Sequence, residues 1–222
     1  MEEDDPTPRA LPRWVELEYK HMRTLAGPDA SVAFTHLSRA ASASLSAAFA
    51  STSTSIPDDS PPALPEQARA ECHEQGVLAL MQARSIPLGH VCLLDPKASE
   101  ALTPADGDAG QFAWFLFGGI LGDDPPRDRT AELRALGFPT RHLGTVQMTT
   151  DTALGVTRRV VVDGVALEDI PYVDYPTIRF NARESVEMPF RYIKAPGTKD
   201  EPLLPPGMKA HLYADLDQGF DL

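Results

Sequence analysis

The chain has 222 residues, of which 32 are acidic and 20 are basic, giving a formal net charge of −12. This length allows one domain with a substantial core and an appendage. Proteins that hold nucleic acid usually present a basic surface to the phosphates, and this chain has no Lys/Arg run. The charge therefore disfavours nucleic acid as a direct partner and fits a cationic partner, although it also fits a role in solubility alone.

The cysteine content and the first residues predict the compartment. The two cysteines, Cys72 and Cys92, form neither a CxxC pair nor a Cys/His cluster at zinc spacing. We therefore expect no metal site, no disulfide framework and a reducing compartment. There is no apolar run of about 18 residues, and the start, MEEDDPTP, is acidic where a signal peptide would be basic and then apolar. The expectation is a cytoplasmic protein without a membrane partner.

The amino-terminal part, residues 1–38, carries one helical pattern and one short strand pattern. Apolar residues recur at helical spacing over 13–25, and residues 31–37 read as a strand. Residues 39–62 are Ala/Ser-rich and then Pro/Asp-rich. Such a composition predicts a low-complexity insertion that is either disordered or a fragile helix.

The central part, residues 63–162, predicts an α/β core. A helical pattern covers 64–84, and an apolar strand over 91–94 ends at Asp95-Pro96. Asp95 at this strand end is either functional or, more commonly for such a residue, caps the turn that the proline enters.

Two glycine loops follow in the stretch from 111 to 162. Residues 112–117 have the length and aromatic content of a fully buried strand, which stops at FGGILGDDPP. A helical pattern through Leu133 and Leu136 comes next, and then a short strand over 140–143 that Gly144 ends. The last helix begins near Gln147.

The order strand, glycine loop, helix, repeated twice, is typical of an α/β domain with a parallel sheet. Ligands of such sheets bind at the carboxyl ends of the strands, and both loops fall there, at what we expect to be adjacent strand ends. Glycines also let a ligand approach the backbone closely, although ordinary turn geometry explains them too.

The final part, residues 163–222, consists of short apolar pieces interrupted by proline, aspartate or asparagine. Asp163-Gly164 is a hairpin-type turn signal, and prolines 171, 176 and 189 confine any strands to sheet edges. We expect an extended tail that wraps the domain and holds one short helix near its end.

Several segments together resemble a known family. The segments VCLLDP, FLFGGILGDDPPRDRT, GFPTRHLGTVQMTTDTA, DIPYVDYP, FNARESVEMPFRY and LPPGM occur in that order. They are similar to the fungal SPOUT-type protein-arginine methyltransferases. The resemblance implies a trefoil-knotted parallel sheet flanked by helices, a rare exception to the rule that chains are unknotted. It also implies an enzyme that uses S-adenosylmethionine to monomethylate an arginine in a small-subunit ribosomal protein.

The resemblance leaves the assembly open between a monomer and a SPOUT-type homodimer. The family pattern has a short apolar strand before its first Met-Glu-Glu, whereas this chain begins at that methionine. We therefore expect the first strand of the methyltransferase domain to be missing.

The resemblance and the glycine loops together predict the cofactor pocket. Its threonines could also simply cap the last helix. The predicted cofactor-binding residues are Phe117, Gly118, Gly119, Gly122, Asp123, Leu143, Gly144, Met148, Thr149, Thr150 and Thr152.

Arginine is a difficult methyl acceptor, because its guanidinium has a pKa above about 12 and offers no free lone pair at neutral pH. Carboxylates must orient it and help it lose a proton, and the predicted catalytic residues are Asp124, Asp151 and Glu187. Asp151 could instead oppose the helix dipole, and Glu187 could pair with Arg183 or Arg191. Substrate contacts are expected from Arg127 and Tyr192.

Two other functions stay open. An RNA methyltransferase acting on rRNA or tRNA would need cations around the site, and Arg127, Arg129 and Arg141 could supply them. The second alternative is a ribosome-assembly factor that binds the cofactor but does not catalyse methyl transfer. The six histidines are scattered, which favours structural roles, and His142 is the one to test.

Overall fold

The computed structural model describes residues 11–50, 67–108, 110–119 and 130–218. The chain divides into two compact units, residues 1–85 and residues 86–222.

The described part of the first unit contains three helices and two short parallel strands that pair with each other. Its elements are α1 (Arg13–Ala26), β1 (Ser31–Phe34), α2 (Arg39–Ala50), β2 (Arg69–Cys72) and α3 (Val77–Ala83). The predicted first helix and first strand are confirmed. Helix α1 is amphipathic and buries Val15, Leu17 and Met22. For the start of the Ala/Ser-rich stretch the sequence left two alternatives open, disorder and a fragile helix. This part is helical and forms α2.

The predicted helix over 64–84 is wrong in its first half. Residues Arg69–Cys72 form β2, which runs parallel to β1 with Ser31 opposite Arg69 and Phe34 opposite Cys72. The strand forms because β1 offers it a partner, and a tertiary partner overrides the weak local preference of these residues. Only the second half of the pattern is helical, in α3.

The second unit is built on a three-stranded parallel sheet. Strands β3 (Val91–Leu94), β4 (Trp114–Phe117) and β5 (Thr140–Arg141) lie in the order β4-β3-β5. Strand β3 is buried along its whole length, because it has a neighbour on each side. The observed sheet differs from the arrangement expected from the sequence in two respects. Strand β4 is half-buried rather than fully buried, and β4 and β5 are not adjacent, since β3 separates them.

Helices α4 (Ala131–Ala135) and α5 (Thr150–Val161) follow β4 and β5 in the chain. The predicted apolar face of α5 is confirmed, because Val156 and Val160 are completely buried. Both belong to one hydrophobic cluster with Met148 and with Cys92 of β3. The burial of this cluster stabilises the unit and fixes α5 relative to the sheet.

The tail forms two antiparallel strand pairs and a final helix. Its elements are β6 (Tyr172–Asp174), β7 (Thr177–Arg179), β8 (Ser185–Glu187), β9 (Arg191–Ile193) and α6 (Met208–Gln218). Strand β6 pairs with β9, and β7 pairs with β8. The short strands and the final helix agree with the expected tail.

The expected hairpin turn at Asp163-Gly164 is not found. These residues end α5 instead: the N–H of Asp163 donates to the carbonyl of Arg158, and Gly164 has a φ of +70°. The same glycine conformation that suits a hairpin also suits a helix terminus, which is why the sequence signal was ambiguous.

The architecture confirms the predicted α/β class with parallel strands and flanking helices, while the trefoil knot stays a prediction. Within the described ranges, no helix has the length and apolar character needed to cross a membrane. In the same part of the chain, no group of three or more His, Cys, Asp or Glu side chains could hold a metal ion.

Candidate active site

The carboxyl ends of the three parallel strands meet at one edge of the sheet. Leu94 of β3 lies opposite Phe117 of β4 on one side and Arg141 of β5 on the other. At about 4.8 Å between neighbouring strands, Phe117 and Arg141 are roughly 10 Å apart. The two glycine loops therefore begin at the same edge, on either side of β3.

Two glycines follow directly on β4, namely Gly118 and Gly119. Among the described residues, no atom lies within 4 Å of the place where a Cβ on Gly119 would stand. A glycine has no Cβ, which favours close approach of a ligand to its backbone.

The turn after β5 is sharply bent and held from both sides. Gly144 has a φ of +104°, and its N–H donates to Nδ1 of His142 at 3.1 Å. His142 is itself fixed, because its N–H donates to the carbonyl of Glu100 and its carbonyl accepts from the N–H of Leu102. His142 thus has a structural role, as expected for most of the histidines.

Polar side chains are buried where α5 begins. The exposed fractions are 8% for Thr150, 1% for Asp151 and 2% for Thr152. Thr149 occupies the N-cap position, but its hydroxyl donates to the hydroxyl of Thr152 at 2.8 Å and not to the helix backbone. The side chain of Thr149 thus does not cap α5, and a helix N-terminus is a favourable place for acceptor atoms of a ligand.

Asp95, between the two loops, anchors α4. Its carboxylate accepts hydrogen bonds from Nε and Nη2 of Arg134 and from the hydroxyl of Thr130 at 3.2 Å. It also accepts the N–H of Lys97 at 3.0 Å, the turn-capping bond that the sequence suggested. The Arg134 guanidinium holds the pKa of Asp95 below its ordinary value, against the opposing effect of burial.

Arg141, one of the cations considered for RNA, is already paired. Its guanidinium lies 3.0 Å from the buried carboxylate of Asp106 and 3.1 Å from that of Glu100. With a side chain only 17% exposed, it is a poor candidate for a phosphate contact.

Arg191 connects the tail to the residues that follow Gly144. Its N–H donates to the carbonyl of Gln147 at 2.8 Å, and its guanidinium makes a two-pronged ion pair with Asp174 at 2.6 and 2.8 Å. The guanidinium carbon also lies 4.6 Å from the ring centre of Tyr172. The sequence suggested Glu187 as a partner of Arg191, but the structure gives that role to Asp174.

The pKa values of this cluster follow from the pairing. The hydrogen bonds of Arg191 lower the pKa of Asp174, and Asp174 raises that of Arg191. Burial raises the pKa of Tyr172 to about 12. All three groups therefore keep one charge state at neutral pH.

Sequence reasoning missed Asp174 and Arg191 as a pair, although both lie in segments that carry the family resemblance. The signal that could have found them is the pairing of the two segments as antiparallel strands, in which Asp174 stands directly opposite Arg191.

The remaining predicted site residues fall into four cases. Gly122, Asp123, Asp124 and Arg127 lie outside the described residues. Glu187 is exposed on β8, and its side chain makes no hydrogen bond or ion pair with the part of the chain that the structure describes. Tyr192 is 2% exposed, which is a core position, so its contact with a substrate stays a prediction. Leu143 packs partly buried against the central cluster.

Comparison with known proteins gives consistent matches. The family model described as "Protein arginine N-methyltransferase SFM1-like" matches residues 1–219. Protein arginine N-methyltransferase SFM1 of Saccharomyces cerevisiae is 49% identical over 137 residues. That alignment covers 60% of this chain and 62% of the yeast protein, so the match spans less than two thirds of the length of this curated relative.

Two crystal structures of yeast SFM1 are similar in fold. The structure complexed with SAM has a TM-score of 0.71 and 34% identity, and the match covers 93% of this chain and 87% of that chain. The structure complexed with SAH has a TM-score of 0.68 and 35% identity, with 92% and 90% covered.

Proposed function

This chain belongs to the SFM1-like family of protein arginine N-methyltransferases, and from that membership we propose that it is an S-adenosylmethionine-dependent protein-arginine methyltransferase. The finer proposal is that it places a single methyl group on an arginine of a basic small-subunit ribosomal protein in the cytoplasm. The observation that supports the activity most directly is that the sharp turn at Gly144 and the glycine pair Gly118-Gly119 follow strands that end on one edge of a parallel sheet.

The residues at this edge fit a nucleoside cofactor. Gly144 has a positive φ, and among the described residues Nη1 of Arg191 lies 3.9 Å from the position that a Cβ would take, so this guanidinium borders the turn. We assign the adenosine part to the loop from Phe117 to Gly122, the turn at 143–145 and residues 148–152, which lead into α5 and form its first turn. S-adenosylmethionine supplies the methyl group on a sulfonium; the chain supplies backbone donors, acceptors and positioning.

The acceptor arginine needs negative groups beside it. Asp124, Asp151 and Glu187 remain our candidates for orienting the guanidinium and taking its proton, with Arg127 and Tyr192 as candidate substrate contacts. Asp151 is almost completely buried at the start of α5, next to the threonines assigned to the cofactor. Its place suits a group that acts inside the pocket, whereas Glu187 on its exposed strand suits a group that meets the substrate from outside.

The electrostatics favour a protein over RNA as the substrate. The net charge of −12 attracts a basic protein and repels a polyanion. Arg141, which an RNA reaction could have used, is neutralised by Asp106 and Glu100.

The test is transfer of a labelled methyl group from S-adenosylmethionine in an extract of cells that lack the protein. We expect the label to survive nuclease, to be lost with protease, and to appear by mass spectrometry as monomethylarginine in a small-subunit ribosomal protein. Label lost with nuclease would mean an RNA substrate. Cofactor binding by calorimetry without any transfer would mean a non-catalytic binder.

The assignment of Glu187 and Asp124 as catalytic carboxylates has its own test. Glu187→Gln and Asp124→Asn should abolish transfer and leave cofactor affinity unchanged. The matched control is Glu168→Gln, an exposed carboxylate of the same unit that has no assigned role. Normal turnover in both variants would remove these two residues from the mechanism.

A further inference from the structure

The tail is attached to the residues that follow Gly144 by the backbone of one residue. The N–H of Arg191 donates to the carbonyl of Gln147 at 2.8 Å, and Arg191 forms an isolated parallel β-bridge with Met148. Its guanidinium extends toward the turn, where Nη1 lies 3.9 Å from the position that a Cβ on Gly144 would take. One residue of β9 therefore binds the segment at Gln147 and Met148 and places its guanidinium near Gly144.

The guanidinium of Arg191 is held rigidly. Its Nε and Nη2 each donate to one oxygen of Asp174, and its carbon lies over the ring of Tyr172, 4.6 Å from the ring centre. A two-pronged arginine–carboxylate pair fixes orientation as well as distance, and stacking on an aromatic ring adds a further constraint. Asp174 and Tyr172 both belong to β6, the strand paired with β9.

We propose that Arg191 is a positioning residue for the cofactor turn, with Asp174 and Tyr172 holding it in place. The inference rests on the proposed function, because that function assigns the turn to the cofactor. By clamping residues 144–148, the tail fixes the turn in its bound shape before the cofactor arrives. The chain then orders less on binding, and the affinity is higher.

The proposal differs from a purely stabilising role in what it predicts. The ion pair is partly exposed, with side chains 21% and 39% exposed, and exposed ion pairs contribute less to global stability than buried ones do. Its effect should therefore appear in cofactor affinity and in the local opening of the turn, and much less in the melting temperature.

The test compares Arg191→Lys, Asp174→Ala and the double variant with the parent chain. Lysine keeps the charge but cannot make the two-pronged contact. The control is Arg179→Lys, on the neighbouring strand β7, where the arginine is exposed. Affinity for S-adenosylhomocysteine is measured by calorimetry. Hydrogen exchange of the peptide covering 143–152 is measured without ligand, and kcat and KM are measured for S-adenosylmethionine.

We expect each single variant to weaken S-adenosylhomocysteine binding about fivefold or more, and the double variant to be no weaker than the worse single one. Exchange in 143–152 should accelerate, and KM should rise more than kcat falls. A lower melting temperature with unchanged affinity and unchanged exchange would overturn the proposal, as would an equal effect of Arg179→Lys. If the parent chain itself fails to bind S-adenosylhomocysteine, the proposed function fails; binding by the parent that the variants leave intact overturns only the clamp.

Discussion

Nδ1 of His142 accepts a hydrogen bond from the N–H of Gly144 at 3.1 Å, across the turn that follows β5. The bond requires an unprotonated Nδ1, so in the neutral ring the proton sits on Nε2. The imidazole therefore acts as a brace for the turn.

This brace predicts different effects for two substitutions of His142. Asparagine carries an oxygen near the position of Nδ1 and should keep the acceptor, whereas alanine leaves the N–H of Gly144 without it. We expect His142→Ala to lose about 1 kcal/mol of unfolding free energy in urea and to bind the cofactor more weakly, with His142→Asn close to the parent. Equal losses in both variants would contradict the acceptor role.

Gly144→Ala should damage both stability and cofactor binding. An L-residue at a φ of +104° is strained, at a cost of about 1–2 kcal/mol. The matched control is Gly164→Ala, because Gly164 also has a positive φ but lies in the turn that ends α5. Unfolding free energy should fall in both variants, and calorimetry should show lost affinity in Gly144→Ala alone. A comparable loss of affinity in the control would show that strain anywhere in the unit suffices.

Gly107→Ala should destabilise the unit by overpacking. A Cβ on Gly107 would lie 2.1 Å from the carbonyl oxygen of Val161, a backbone atom near the end of α5 that cannot move without the helix. We expect a loss of about 1–3 kcal/mol in urea unfolding. Gly89→Ala is the control, since its Cβ would meet no described atom within 4 Å. An unchanged midpoint for Gly107→Ala would mean that α5 can shift away at little cost.

Asp95→Asn should remove a pH-dependent part of the stability. The pKa of Asp95 is lower in the folded chain than in the unfolded chain, so its contribution is complete above the unfolded pKa of about 3.9. The contribution is lost as the pH falls through the lower folded pKa. At neutral pH we expect Asp95→Asn to lose about 1–3 kcal/mol, because Arg134 loses its charged partner.

The measurement is urea unfolding from pH 7 downward. As the pH falls below about 4, the difference in unfolding free energy between the parent and Asp95→Asn should shrink, so that the two curves converge. Asp169→Asn, at an exposed position of the same unit, serves as control. A difference between parent and Asp95→Asn that stays constant with pH would show that the carboxylate charge is not what anchors α4.

Local patterns predicted the elements whose partners are near in sequence or whose periodicity is strong. The buried face of α5, with Val156 and Val160, follows from helical spacing alone. Strand β2 was missed, because its extended shape depends on β1, from which it is separated by α2 and residues 51–68. The insertion of β3 between β4 and β5 was missed for the same reason, since spacing along the chain does not encode the order of strands in a sheet.

The site could be predicted only in part. A glycine permits backbone conformations that other residues avoid, so its presence alone indicates a sharp turn. The turn at Gly144 was therefore predicted from the sequence. The clamp of Asp174 and Arg191 was not, because each residue alone is an ordinary surface charge and only the β6–β9 register makes them neighbours. The buried state of Tyr192 likewise depends on packing that its own sequence neighbours do not reveal.

The strand order β4-β3-β5 also determines when this edge can form during folding. In the chain, β4 is nearer to β3 than β5 is, so we expect β5 to pair with β3 after β4 does. Closing the longer segment costs more entropy before any contact offsets it, and long-range closure slows folding. We therefore expect the ability to hold a ligand to appear during refolding only after Arg141 has docked beside Leu94.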